Sequence, residues 1–193
     1  MGDRVHVIGN PCPHEGNNFF ECASLNTIVV SLQLTDSGSV DYNKRYIELL
    51  DDFLYEAGQT GCKVLLKHHP RYNNSLDISE LICKYQCAEL TSHYTSELAK
   101  LSFLHVTLNS TTAFEYAEMG IPSFFLQNKV GAELNFYDDY KYPLYSGMTL
   151  SQVVKRLQDK DNWTNDRQIV RDWVSLFYSP FKEQRFVQLI IDK

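Results

Sequence analysis

Two clusters of residues in this chain have the types and spacing to handle an anionic group. Lys67-His68-His69-Pro70-Arg71 joins an ammonium, two imidazoles and a guanidinium, all of which donate hydrogen bonds to anionic oxygen. Pro70 holds the residue before it in an extended shape, which fixes the direction of His69. The second cluster, Asn109-Ser110-Thr111-Thr112-Ala113-Phe114-Glu115, sets hydroxyls at the start of a helical pattern. Hydroxyls there cap free backbone N–H groups, and the same helix end attracts anions. Glu115 lies one turn inside. Its carboxylate suits ribose hydroxyls, as acidic groups do in dinucleotide folds, and equally suits a helix dipole. The competing readings are a solvated strand end for the first cluster and plain capping for the second.

The elements around these clusters decide whether the two can meet. Thr27–Leu32 is a short β-branched run, followed by the polar loop Thr35–Ser39, and reads as a strand buried on both faces. Tyr42–Ala57 has apolar residues at helical spacing, with Gly58 as its stop. Cys62–Lys67 is the next strand, and the Lys-His-His cluster leaves its end. Ile78–Tyr85 reads as a helix with Asp77 as N-cap, Ala88–Leu90 as a weak strand, and Ser96–Leu101 as a helix capped by Thr95. Phe103–Leu108 is a strand, Thr111–Met119 a helix closed by Gly120, and Ile121–Leu126 a fifth strand opened by Pro122. Helical stretches follow at Leu150–Leu157, Arg167–Phe177 and near Phe181–Ile191, after an aromatic and acidic loop, Tyr137–Tyr142.

Strands alternating with helices predict an α/β, Rossmann-like, three-layer domain with a mostly parallel sheet of about five or six strands. Residues 1–26, broken by Pro11, Pro13 and Gly16, read as an irregular lead-in or linker, and residues 27–193 as the domain. In such sheets ligands bind outside the carboxyl ends of the strands. Both clusters leave strands at that end, so both can face one pocket.

Composition narrows the function classes. The 193 residues are 44% hydrophobic and 22% charged, as in an ordinary globular domain. A net charge of −6 argues against a nucleic-acid binder. No apolar run reaches the ~20 residues of a membrane span, and the N-terminus lacks the apolar core of a secretion signal. The five cysteines, Cys12, Cys22, Cys62, Cys83 and Cys87, show no framework spacing and fit a reducing compartment such as the cytoplasm. Cys83 and Cys87, read as sharing one helix face, are too few for zinc, and no metal site is expected.

The clusters also carry a resemblance. Lys67-His68-His69-Pro70-Arg71 resembles the HP motif of bacterial sialyltransferases and of capsule and teichoic-acid polymerases. Ser110-Thr111 followed by Glu115 resembles their paired Ser-Ser or Ser-Thr motif, and Glu115–Pro122 the helix-Gly-x-Pro-strand that follows it. The likeness spans roughly residues 27–177. It implies the C-terminal, donor-nucleotide-binding half of a GT-B glycosyltransferase acting in bacterial surface polysaccharide synthesis. By that resemblance His69 contacts the donor phosphate and assists the leaving nucleotide. Ser110 and Thr111, with Thr112 beside them, bind that phosphate, Lys67 and Arg71 add positive charge, and Glu115 holds the ribose. Ser92-His93-Tyr94-Thr95 is nominated to read the base, Tyr94 above all, although Tyr94 reads equally as a surface aromatic.

The same resemblance implies a metal-independent transfer from a nucleotide sugar, with a CMP-sialic-acid-like donor as first choice and a CDP-polyol or UDP-sugar as alternatives. It implies a glycan acceptor reached through a separate N-terminal domain, and peripheral membrane association of the full enzyme. Besides a small-molecule sensor of flavodoxin-like shape, for which Asp36 at the first strand's end is a hint, two rivals remain. One is an epimerase-like enzyme on the same fold. The other is a non-catalytic binding domain, which is favoured if His69, Ser110 or Glu115 faces the core instead of a cleft.

Overall fold

The computed structural model describes residues 25–32, 40–69, 76–126 and 135–178, with residues 184, 187, 188 and 191 beyond them. Arg71, Asp36 in the Thr35–Ser39 loop, most of the lead-in and most of the final helical stretch therefore lie outside the described residues.

The strands are β1 (Thr27–Ser31), β2 (Lys63–Lys67), β3 (Ala88–Leu90), β4 (Leu104–Thr107) and β5 (Ser123–Phe125). The helices are α1 (Val40–Gln59), α2 (Ser79–Lys84), α3 (Thr95–Leu101), α4 (Thr112–Glu118), α5 (Phe136–Asp139), α6 (Leu150–Gln158) and α7 (Lys160–Ser175). The five strands form one all-parallel sheet in the order β3-β2-β1-β4-β5. This is the Rossmann-like α/β fold that the alternation of strands and helices predicts. Strand order reverses between β1 and β4, which is where such folds open a crevice.

The β-branched run of β1 explains its central place. All five residues are buried, and alternate side chains feed two cores. Ile28 and Val30 join Leu50, Phe53 and Leu54 of α1 and Val153, Val154 and Leu157 of α6. Val29 on the other face joins Leu65, Leu98, Ala99 and Tyr116, under α3 and α4. Among the described residues no helix is long and apolar enough to cross a membrane.

Several local expectations need correction. The Cys83 and Cys87 pair does not share a helix face, because α2 ends at Lys84 and Cys87 sits in the turn before β3. Thr95 does not cap α3 but is its first helical residue, and the Glu97 carboxylate accepts the backbone N–H of Tyr94 instead, at 2.8 Å. Asp77 lies one residue before the N-cap of α2, where its carboxylate accepts the N–H of Ser79 at 3.0 Å. α7 starts at Lys160, capped by Asp159 accepting from Asn162 N–H at 2.9 Å, so it is longer than the periodicity from Arg167 suggests.

The aromatic and acidic stretch Tyr137–Tyr142 is not an irregular loop throughout. It forms α5 and packs into the domain's own core. Tyr142 is buried edge-to-face on Phe125 and Trp173, and Tyr140 meets Phe114 in the same way. Edge-to-face rings add about 0.5–1.5 kcal/mol per pair beyond their burial, enough for a short helix to hold its place.

Candidate functional site

The site lies at the carboxyl end of the central strands. Ser31 is in register with Lys67 on one side and with Thr107 on the other. The Lys67–His69 and Asn109–Thr112 segments therefore leave the sheet at one level, one on each side of β1. Between them is a cavity of about 290 Å³. Its walls are Ser31 and Leu32 from β1, Lys67, His68 and His69 from the end of β2, Thr95 from α3, and Ser110, Thr111, Thr112 and Glu115 around the start of α4.

Six of the residues singled out in the sequence, Lys67, His69, Ser110, Thr111, Thr112 and Glu115, thus share one cavity. None of His69, Ser110 and Glu115 is buried in the core, and each keeps partial solvent access at the cleft. Tyr94 is different. It is 77% exposed and does not line the cavity, and only Thr95 of the Ser92–Thr95 segment does. Tyr94 is the N-cap residue of α3, with an extended backbone (ψ 157°).

Hydrogen bonds set the donors within the cavity. Ser110 Oγ accepts from Thr112 N–H at 3.3 Å and from the Thr112 hydroxyl at 3.0 Å. Both bonds use Ser110 as the acceptor, so its own proton remains to be given to another oxygen. The N-cap position Thr111 makes no capping bond with its side chain. Capping here thus falls to Ser110, and the Thr111 hydroxyl stays with the cavity. Below them Thr107 Oγ1 donates to the carbonyl of Ser31 at 3.1 Å, tying β4 to β1 beneath the loop.

Lys67 Nζ donates to the His93 carbonyl at 2.5 Å. This engages one of its three donors and holds the β3–α3 loop to the end of β2. His68 is half-buried, and desolvation lowers the pKa of its imidazole, favouring the neutral ring. Among the described residues no group of three or more acidic, histidine or cysteine side chains is gathered as a metal site.

Sequence reasoning overlooked the residues beneath the cavity. His105, in the middle of β4, is fully buried, with Nε2 at 2.9 Å from Ser31 Oγ and Nδ1 at 2.8 Å from Ser123 Oγ. Its ring stacks on Tyr116 of α4, with centroids 4.0 Å apart. Burial depresses the His105 pKa to about 3, so the ring is neutral. The available signal was a histidine inside an otherwise apolar strand, together with a serine ending the most apolar one.

No protein-family model matches the sequence, and no curated protein matches it. Solved structures do. The wall teichoic acid polymerase TagF superposes with a TM-score of 0.51 at 21% identity, over 86% of this chain and 42% of that one. A variant of the same polymerase gives a TM-score of 0.47 at 22% identity, with the same coverage. A CDPG-soaked variant gives 0.45 at 22% identity, over 77% of this chain and 36% of that one. The likeness to TagF is one of fold. The chain spans less than half the length of the polymerase chain it matches.

Proposed function

We propose that this chain is the donor-nucleotide-binding half of a GT-B glycosyltransferase of bacterial surface polysaccharide synthesis. The observation that carries the reading is the convergence of His69 with Ser110, Thr111 and Glu115 on one cavity at the strand-order reversal. A cavity of about 290 Å³ is at the lower end of ligand pockets, ~300–1,000 Å³. That size suits a nucleotide and leaves the sugar and the acceptor to be enclosed elsewhere. The fold likeness to a teichoic acid polymerase, over less than half of its chain, is consistent with such a half.

In this reading an acceptor hydroxyl, losing its proton to a base of the acceptor-binding half, attacks the sugar carbon of a CMP-sugar or the distal phosphorus of a CDP-polyol as the bond to the nucleotide phosphate breaks. Negative charge grows on the departing phosphate. The Ser110 and Thr111 hydroxyls donate to it, Lys67 adds a positive charge nearby, and His69 in its protonated form gives a proton to the leaving oxygen. Glu115 accepts the ribose hydroxyls. The motif pair favours a CMP-sugar donor. The polymerase likeness brings a CDP-linked polyol level with it. Both donors carry cytidine, which makes a cytidine nucleotide the expected ligand.

The test is calorimetric titration of the chain with CMP, CDP and UDP, in parallel with Ser110→Ala. Saturable binding of a cytidine nucleotide, weakened about tenfold by loss of one hydrogen bond to a charged group, is the expected result. A chain that binds none of the three nucleotides loses this assignment.

A further inference from the structure

The buried His105 network beneath the cavity links Tyr142, Ser123 and Ser31, and its protons can run in one of two orders. Tyr142 is buried beside the edge strand β5, where its phenol oxygen accepts the backbone N–H of Ser123 at 2.6 Å. The Ser123 hydroxyl lies against the same phenol. In the order that runs toward the cavity, the phenol gives its own proton to Ser123 Oγ. Ser123 then gives its proton onward to His105 Nδ1, 2.8 Å away. A neutral imidazole has one N–H, which falls on Nε2 and points at Ser31 Oγ at 2.9 Å. Ser31 receives a hydrogen bond from below and keeps its own proton. The residue is one of those lining the cavity.

We propose that Ser31 is a further ligand-binding residue of this cavity, whose hydroxyl donates to an anionic oxygen of the bound nucleotide, and that His105 is the positioning residue that aims it. The proposal rests on the nucleotide-binding reading above and adds to it a donor from β1, between the donors that follow β2 and β4. Ser31 suits the role geometrically. It is in register with both Lys67 and Thr107, the last residues of the flanking strands. Its carbonyl is held by Thr107 Oγ1 at 3.1 Å, which fixes the backbone beneath the cavity. The Tyr116 hydroxyl, fully buried and without a hydrogen-bond partner of good geometry, faces the same oxygen. The Ser31 hydroxyl thus lies at the junction of the His105 ring, the Tyr116 hydroxyl and the cavity.

Two measurements test this. The first is the nitrogen-15 spectrum of the histidine side chains of the ligand-free chain, which reads the His105 tautomer directly and needs neither nucleotide nor substitution. A neutral ring protonated on Nε2 is expected. A proton on Nδ1 overturns the aiming role of His105.

The second is titration with the bound cytidine nucleotide. Ser31→Ala is expected to weaken binding about tenfold, the range for one hydrogen bond to a charged group, and Ser31→Thr to restore it. His105→Gln, whose amide N–H₂ takes the place of Nε2–H, should bind close to wild type. His105→Phe should bind as weakly as Ser31→Ala and add nothing to it in the double variant. Unchanged binding by Ser31→Ala, beside the loss in Ser110→Ala, overturns this proposal and leaves the nucleotide site standing. A wild-type chain that binds no nucleotide overturns both.

Discussion

Arg156 of α6 and Asp166 of α7 meet as a two-pronged pair: Nε donates to Oδ2 at 2.8 Å and Nη2 to Oδ1 at 2.7 Å. The carboxylate is fully buried, the guanidinium about one-third exposed, and the Tyr145 hydroxyl donates to Oδ2 from a third direction at 3.0 Å. The asymmetry predicts which partner matters more. Arg156→Met leaves a buried carboxylate with one neutral donor, at a cost of about 3 kcal/mol. Asp166→Asn, which keeps an acceptor for Tyr145 and lets Arg156 turn to water, should cost less. Urea denaturation of both variants checks the order, and equal losses would mean the pair is better solvated than its burial indicates.

Gly120 ends α4 with φ +73° and leads into β5. A Cβ there would lie 2.8 Å from Arg171 Nε and 3.2 Å from Arg167 Nε, and Arg167 Nε donates to the Gly120 carbonyl at 3.1 Å. Gly120→Ala combines left-handed backbone strain of about 1–2 kcal/mol with displacement of two arginines that lock α7 to this turn. A loss of about 2–3 kcal/mol in thermal or denaturant unfolding is expected. A loss below 1 kcal/mol would show that the arginines swing aside freely.

His105 should make stability depend on acid. Its folded pKa, about 3, lies below the ordinary value near 6.5. Between those values the unfolded chain binds a proton that the folded chain refuses. Stability therefore falls as pH drops from about 6.5 toward 3, by up to about 1.4 kcal/mol per pH unit, and is unaffected by this group above about pH 7.5. Urea midpoints at pH 7.5, 5.5 and 4.5 should fall less steeply in His105→Gln than in wild type. Parallel curves would mean that His105 is protonated in the folded state.

Glu115 separates two roles by the ligand it prefers. A carboxylate that holds ribose makes the chain bind CMP about tenfold more tightly than its 2′,3′-dideoxy analogue, and Glu115→Gln should shrink that ratio toward one. A carboxylate that only favours the helix dipole leaves the ratio unchanged. Paired titrations of the two ligands decide between them.

Much of this protein was legible in its residues taken in order. The β-branched runs separated by helical periodicity specified a parallel α/β sheet, because apolar spacing reports which faces must leave water. The placement of Lys67–His69 and Ser110–Glu115 after strands located the cavity, because parallel strands present their carboxyl ends together. Where the rings of Tyr137–Tyr142 pack was not legible, because a ring that packs into its own core has the same composition as one that waits for a partner. For Tyr94 the sequence left a base reader and a surface aromatic level, and its 77% exposure is a property of the folded backbone before α3.

The tertiary structure alone decided the rest. Ser31, His105 and Ser123 come from three different strands, the first pair 74 positions apart in sequence and the second 18. Their hydrogen bonds exist only because β4 lies between β1 and β5 in the sheet. Strand order is set by how the helices pack on the two faces, a property of the whole chain. Local spacing determined which residues could do chemistry, and the order of the strands determined which of them meet.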